Sequence, residues 1–161
     1  ASGTYPNAAP MPLPAITVRA PAGDAERDAY YALRYRCLRE PWGQPRGSER
    51  DDDESRYTHA AAWLLDSQQL VAVGCAIPRA PGAVQIRYMA VEPKYRGSGI
   101  GRAVLEHLEE QAIAAGVRRA FLNAREAAVP FYSKCGYGVT GKAHLAFGVV
   151  RHYRMDKELG G

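Results

Sequence analysis

Apolar positions along the chain recur in two rhythms, one of period two and one of period three to four, and the switches between them outline the elements. The stretch "ITVRA" (16–20) alternates and predicts a first strand. After Pro21-Ala22-Gly23, "DAERDAYYALRYRCLREPW" returns Tyr30, Leu33 and Cys37 at helical spacing. Asp24 is placed to cap that helix and Pro41 to end it. The segment "GQPRGSERDDDES" (43–55) has neither rhythm and predicts a polar loop with a cluster of acids. "HAAAWLLD" and "LVAVGCAIPR" flank "SQQ" as a hairpin, and Pro81-Gly82 turns the chain into a third strand over 84–91. A glycine loop follows, then a helix that runs to about Ala115, where Gly116 stops it. A strand over 117–123 leads to a short helix over 124–134, with Pro130 at its first turn or at a kink. Gly136 ends that helix, and two late strands are expected near 137–140 and 149–155. The order β-α-β-β-β-α-β-α-β-β predicts a mixed α/β fold: a central mixed sheet of about seven strands with helices on both faces.

Composition leaves this picture standing. The chain has 161 residues, 47% apolar and 24% charged, which suits one globular domain. The opening "ASGTYPNAAPMPLPA" carries four prolines among small residues, so residues 1–15 are expected to be a flexible arm and 16–161 the domain. No apolar run approaches the roughly 18 residues of a membrane span, and the start lacks the basic and apolar regions of a signal peptide. Three widely spaced cysteines argue against a disulfide framework or a structural zinc site and point to the cytoplasm. The net charge of +4 is small and dispersed, and no nucleic-acid motif accompanies it.

The candidate chemistry lies in "YRGSGIGRAV" (95–104), where a strand gives way to a helix through three glycines in five residues. A P-loop would close on Lys-Ser/Thr, but Gly101 is followed by Arg102-Ala103. A dinucleotide fingerprint would place a third glycine where Arg102 stands, and near the first strand of a βαβ unit. The third reading is R-x-x-G-x-G, formed by Arg96, Gly99 and Gly101. Glycines at those positions let several backbone amides converge on one anion at a helix N-terminus.

"MAVEPKYRGSGIGRAVL", followed after one strand by "NAREAAVPFYSKCGYGV", resembles the GNAT superfamily of acyl-CoA-dependent N-acetyltransferases. The loop is similar to that family's pyrophosphate signature, Q/R-x-x-G-x-G/A, and "FYSKCGY" to its second hallmark. The resemblance implies a sheet splayed at a cofactor groove and acetyl-CoA as co-substrate, with no metal. It implies that Arg96, Gly97, Ser98, Gly99, Ile100, Gly101 and Arg102 hold the pyrophosphate. Met89 would present its amide to the oxyanion from a bulge, and Ala90 and Val91 would pair with the pantetheine arm. Tyr132 would protonate the departing thiolate; a phenol of ordinary pKa about 10 stays protonated at neutral pH. The acceptor, a small-molecule or peptide amine, would attack directly in a ternary complex. Nucleic-acid and membrane partners are not expected, and the chain would be a monomer or homodimer.

Two positions depart from the family pattern. Gln85 stands where many relatives carry a Glu base, and Arg125 where many carry Asn or Gln; Asn123 is a substitute for the latter. Candidate bases elsewhere are Glu126, the acids at 51–54, His59 and His152. Acids bordering the acceptor pocket would favour a cationic amine. Tyr30, Tyr31 and Tyr35 are expected in the core side of the first helix, with Arg34, Arg36 and Arg39 in solvent. Trp42 is a pocket lid or a loop-packing residue, and Tyr137 a core aromatic. Cys135 raises a covalent acyl-enzyme as an alternative, but no partnered base accompanies it. A non-catalytic acyl-CoA-binding sensor is the rival reading, favoured by Gln85 and opposed by Tyr132.

Overall fold

The computed structural model describes residues 12–148 and 150–160, so most of the expected arm lies outside it. The described strands are β1 (Ile16–Arg19), β2 (Thr58–Leu64), β3 (Leu70–Pro78), β4 (Ala83–Val91), β5 (Arg119–Arg125), β6 (Gly138–Ala146) and β7 (Val150–Glu158). The α-helices are α1 (Gly23–Leu38), α2 (Ile100–Ala114) and α3 (Val129–Lys134). One seven-stranded sheet runs in the order β1-β2-β3-β4-β5-β7-β6. Only the β4–β5 pairing is parallel, as expected of a mixed α/β fold.

Alternation in β2 decides which helix meets which face. Ala60, Ala62 and Leu64 join the core under α2, with Val104, Leu105 and Leu108. Ala61 and Trp63 point the other way, into the cluster that holds Tyr30 and Leu33 of α1. β3 is buried without interruption from Val71 to Ile77 because it is covered on both faces.

Several boundaries differ from the sequence reading. Asp24 does not cap α1; Glu26 reaches back one turn to accept the Ala22 N–H at 2.8 Å, and pairs with Arg19 of β1 at 2.6 Å. β5 begins two residues late because Val117 still bonds the α2 carbonyl of Ala112 past Gly116 (φ +84). Pro130 occupies the first turn of α3, where its missing N–H costs nothing, and a 3₁₀ turn over Glu126–Ala128 precedes it. The final hairpin is longer than expected: β6 continues to Ala146, and β7 to Glu158; Val149, the expected first residue of the last strand, lies outside the described residues.

The largest correction concerns α1. Arg34, expected in solvent, is fully buried. Its guanidinium bonds Glu49 O at 2.9 Å, both Glu54 oxygens at 3.0 Å and the Tyr30 hydroxyl at 3.0 Å. It also lies 4.1 Å from the Tyr88 ring centroid. A buried cation is tolerated here because a carboxylate and aromatic faces surround it.

Candidate active site

β4 and β5 pair only over Ala83–Gln85 and Arg119–Phe121; beyond that, β5 continues with β7 as partner and leaves β4. The divergence opens a groove of about 880 Å³. Its cause is a bulge in β4. Val73 pairs with Ala90 and Cys75 with Arg87, so Gly74 alone faces Tyr88 and Met89. Tyr88 takes φ +55, a left-handed conformation that a bulky residue holds only when its surroundings enforce it.

Those surroundings are visible on both sides of the strand. The Tyr88 side chain packs with Cys75, Ile77, Leu38 and Tyr57, and its hydroxyl donates to Asp51 Oδ1 at 2.6 Å. Burial, and then this carboxylate, push the Tyr88 phenol up to about 12. The Met89 side chain goes the opposite way, over Gly74, where a Cβ would run into its sulfur. Glycine at 74 is therefore what admits Met89 into the core under α2.

Past the bulge, a 3₁₀ turn over Pro93–Tyr95 leads into the glycine loop. Gly97 (φ +78) and Gly99 (φ +90) adopt conformations that favour glycine, and Gly99 is the N-cap of α2. At Gly101 a Cβ would sit 3.2 Å from Val91 and 3.5 Å from the Phe131 ring, so the helix start approaches the groove wall closely. Arg96 and Arg102 line the groove, Arg102 with Glu106 at 2.8 Å. Ser98 and Ile100 turn inward: the Ser98 hydroxyl bonds Tyr95 O, and Ile100 is fully buried. This cradle suits a diphosphate: amides at a helix start, no side chain at the closest approach, and arginines on the rim.

The other expected site residues converge on the same groove. Met89, Ala90, Val91, Asn123, Arg125 and Tyr132 all line it. Tyr132 stacks edge-on against Phe131 and Tyr137, at centroid distances of 5.0 and 6.0 Å. Burial raises its pKa, and the Arg125 charge opposes that rise. Among the described residues its hydroxyl has no hydrogen-bond partner in the protein. Tyr137 is buried and donates to Glu109 at 2.8 Å, as expected of a core residue. Burial also raises the pKa of the Cys135 thiol, which disfavours the thiolate that a covalent route would need.

The candidate bases separate. Gln85 lines the groove with its carbonyl bonded to Arg79 at 2.9 Å. The acids at 51–54 do not line it, contrary to expectation: Asp51 is taken up by Tyr57, Tyr88 and Arg87, and Glu54 by Tyr31 and Arg34. His59, in β2, does not line the groove and lies between Tyr30 Oη (2.8 Å) and Glu54 O (2.7 Å). His152 does line the groove. It faces Arg125 across the β5–β7 ladder and stacks on His144 of β6 at 5.0 Å. Among the groove residues that escaped the sequence reading are two aromatic ones on the late hairpin. His144 and Phe147 lie beyond the expected end of β6, so no pairing with β7 or with Trp42 was in view. Trp42 stacks on Phe147 at 6.0 Å and 21°, joining the end of α1 to the tip of the β6–β7 hairpin.

The model of the acetyltransferase (GNAT) family matches residues 27–137, which span the bulge, the glycine loop and Tyr132. The chain belongs to the GNAT acetyltransferase family. Among GNAT proteins it is similar to an uncharacterized N-acetyltransferase of Bacillus subtilis, YjcF, with 27% identity over 132 residues, 82% of this chain and 91% of that protein. A glucosamine 6-phosphate N-acetyltransferase of Trypanosoma brucei brucei shares 36% identity over 71 residues, 44% of this chain and 42% of that one. Among solved structures, one assigned as an N-acetyltransferase from Lactobacillus plantarum superposes with TM-score 0.78 at 27% identity, covering 90% of this chain and 99% of that one. An aminoglycoside 6'-N-acetyltransferase complexed with coenzyme A superposes with TM-score 0.73 at 19% identity, covering 89% and 96%, and shares the GNAT fold.

Proposed function

We propose that the protein transfers the acetyl group of acetyl-CoA to an amine by direct attack within a ternary complex. The observation that carries this reading is that the Tyr88–Met89 bulge and the Tyr132 phenol face one groove, whose far end is the glycine cradle. The cradle residues Gly97, Gly99 and Gly101, with Arg96 and Arg102, hold the diphosphate of the donor. Ala90 and Val91 offer the strand edge that β5 has left to its pantetheine arm, with Asn123 and Arg125 on the facing wall.

Each chemical demand then has a group. The Met89 N–H donates to the thioester oxygen as negative charge develops on it. The amine nitrogen bonds to the carbonyl carbon, the C–S bond breaks, and Tyr132 gives its proton to the sulfur. His152 takes the proton that the amine loses. Its Nδ1 lies 3.0 Å from Val150 O. A carbonyl only accepts, so Nδ1 carries the hydrogen and Nε2 keeps its lone pair. Burial lowers its pKa; the hydrogen bond to Val150 O opposes this and the Arg125 charge adds to it, the balance falling below the ordinary value, so it is neutral at pH 7. Proton return from His152 to Tyr132 through solvent restores the starting state. The three free thiols support a reducing compartment, the cytoplasm, and among the described residues no helix is long and apolar enough to cross a membrane.

The test is free-thiol release from acetyl-CoA by the purified protein with a panel of amines. Acceptor-dependent release that falls at least about a hundredfold in Tyr132→Phe supports the reading. Tight binding of acetyl-CoA with no amine acetylated favours the sensor instead.

A further inference from the structure

We infer that the acceptor is an amine carrying a carboxylate or phosphate on an aromatic body, an aromatic amino acid being the simplest case. This rests on the acetyltransferase reading above. Among the described residues no Asp or Glu lines the groove. Its charged lining is cationic throughout, and the cations fall into two groups. Arg96 and Arg102 flank the glycines of the loop, where the phosphates of the donor would meet them, and Lys134 ends α3. Arg39 and Arg87 rest against the Tyr88 ring at the bulge, 5.4 and 4.5 Å from its centroid, and Arg125 ends β5 on the facing wall.

In that second group, Arg87 is already matched by Asp51 at 3.0 Å. Arg39 donates only to neutral carbonyls, Ser48 O at 3.0 Å and Leu38 O at 3.1 Å, and rests against the rings of Tyr88 and Phe147. Arg125 has no ion pair among the described residues. A polycationic acceptor entering here would meet like charge with no counter-charge to hold it. An acceptor with an anionic group supplies the missing partner, and guanidinium is well shaped to grip carboxylate or phosphate.

The body of the acceptor is specified by what stands at the mouth. Trp42 and Phe147 are 38% and 40% exposed, and Leu145 is 56% exposed beside them. Large apolar side chains left exposed together at a groove entrance mark a contact surface. Trp42 and Phe147 already stack in nearly parallel planes, a geometry that an aromatic ring can extend.

The experiment compares kcat/KM for phenylalanine, phenethylamine, alanine, glucosamine 6-phosphate and spermidine, read by thiol release. Phenylalanine is expected to exceed phenethylamine and alanine by about tenfold each, and spermidine by more. Glucosamine 6-phosphate exceeding phenylalanine would assign the anion to phosphate, and would overturn the aromatic half of the inference. Arg39→Gln is expected to shrink the phenylalanine-to-phenethylamine ratio, and Trp42→Ala the phenylalanine-to-alanine ratio. Spermidine or phenethylamine turned over as well as phenylalanine overturns the inference while leaving acetyl transfer intact. No thiol release with any amine overturns both.

Discussion

The Tyr88 hydroxyl sits 2.6 Å from Asp51 Oδ1, so a residue of the acidic loop clamps the bulge that presents the Met89 amide. Asp51 also accepts from Tyr57 at 2.8 Å and pairs with Arg87 at 3.0 Å. Burial raises the Asp51 pKa, but the two phenols and Arg87 outweigh it and leave the carboxyl below its ordinary value. Tyr88 at φ +55 relies on this clamp. Tyr88→Phe is expected to cost about 1.5–3 kcal/mol of stability, because a partly buried carboxylate loses a charge-assisted donor. It is also expected to lower kcat more than the KM for acetyl-CoA, since the loosened group is the proposed oxyanion donor rather than the proposed phosphate cradle. Urea denaturation together with steady-state kinetics checks both; unchanged kcat would detach the clamp from catalysis.

The Arg34–Glu54 pair makes a sharper stability prediction. Arg34 is completely buried and Glu54 nearly so, at 0% and 12% side-chain exposure. Arg34→Ala leaves the Glu54 carboxylate without its cation and Tyr30 without a donor, and is expected to cost about 3–5 kcal/mol. Arg34→Met, which refills the volume, should still lose much of this unless Glu54→Gln accompanies it. The midpoint of urea unfolding for the three variants measures that coupling, and additive single and double effects would refute it.

How much of this was legible in the sequence depended on the range of the contacts involved. The strand-loop-helix around Gly97–Gly101 and the motif around Tyr132 are local, so spacing located the first and resemblance to a short family motif the second. Helical periodicity placed Tyr30 and Leu33 inward correctly but put Arg34 in solvent, because hydropathy weighs an arginine without its partner. That partner, Glu54, is 20 residues away in a loop that reads as solvated. The same loop misled on acceptor charge: Asp51 and Glu54 satisfy buried donors and never reach the groove. His144 and Phe147 were missed because polar, weakly alternating residues in β6 concealed the hairpin, whose register shifts at two places.

Acid should weaken the fold through His59. Its Nε2 faces the Glu54 carbonyl, so that nitrogen carries the hydrogen; Nδ1 lies 2.8 Å from the Tyr30 hydroxyl, which donates to Gly74 O at 3.0 Å. Burial lowers its pKa, and the Arg34 charge adds to this; the hydrogen bond to Glu54 O and the Glu54 charge oppose it. The folded protein therefore binds this proton more weakly than the unfolded chain, whose histidines titrate near about 6.5. The contribution is complete above that value and declines as pH falls through it towards the folded pKa. His152, lowered in the same direction, adds to the slope. The expected outcome is a melting temperature that drops between about pH 7 and 5, less steeply in His59→Gln. An equal slope in that variant would assign the acid sensitivity elsewhere.

The pH dependence of kcat separates the two groups proposed to move protons. At saturating acceptor, kcat reports ionisations in the ternary complex rather than those of free amine. His152 must be neutral to act, and burial, opposed by the hydrogen bond to Val150 O and aided by the Arg125 charge, places its pKa below the ordinary value. The acidic limb of kcat is thus expected below about pH 6.5. Tyr132 must be protonated, and burial raises it, so the basic limb is expected above about pH 10. His152→Gln keeps a hydrogen-bonding side chain of similar size but cannot take the proton. It should lower kcat at pH 7 by about a hundredfold or more and displace the acidic limb upward, as solvent must then deprotonate the amine. Tyr132→Phe should lower kcat while leaving the acidic limb in place and removing the basic one. If His152→Gln reduces activity with the acidic limb unmoved, His152 positions the β6–β7 hairpin instead of accepting the proton. A positioning role of that kind would also predict rescue by His152→Asn, whose side-chain amide can still donate to the Val150 carbonyl.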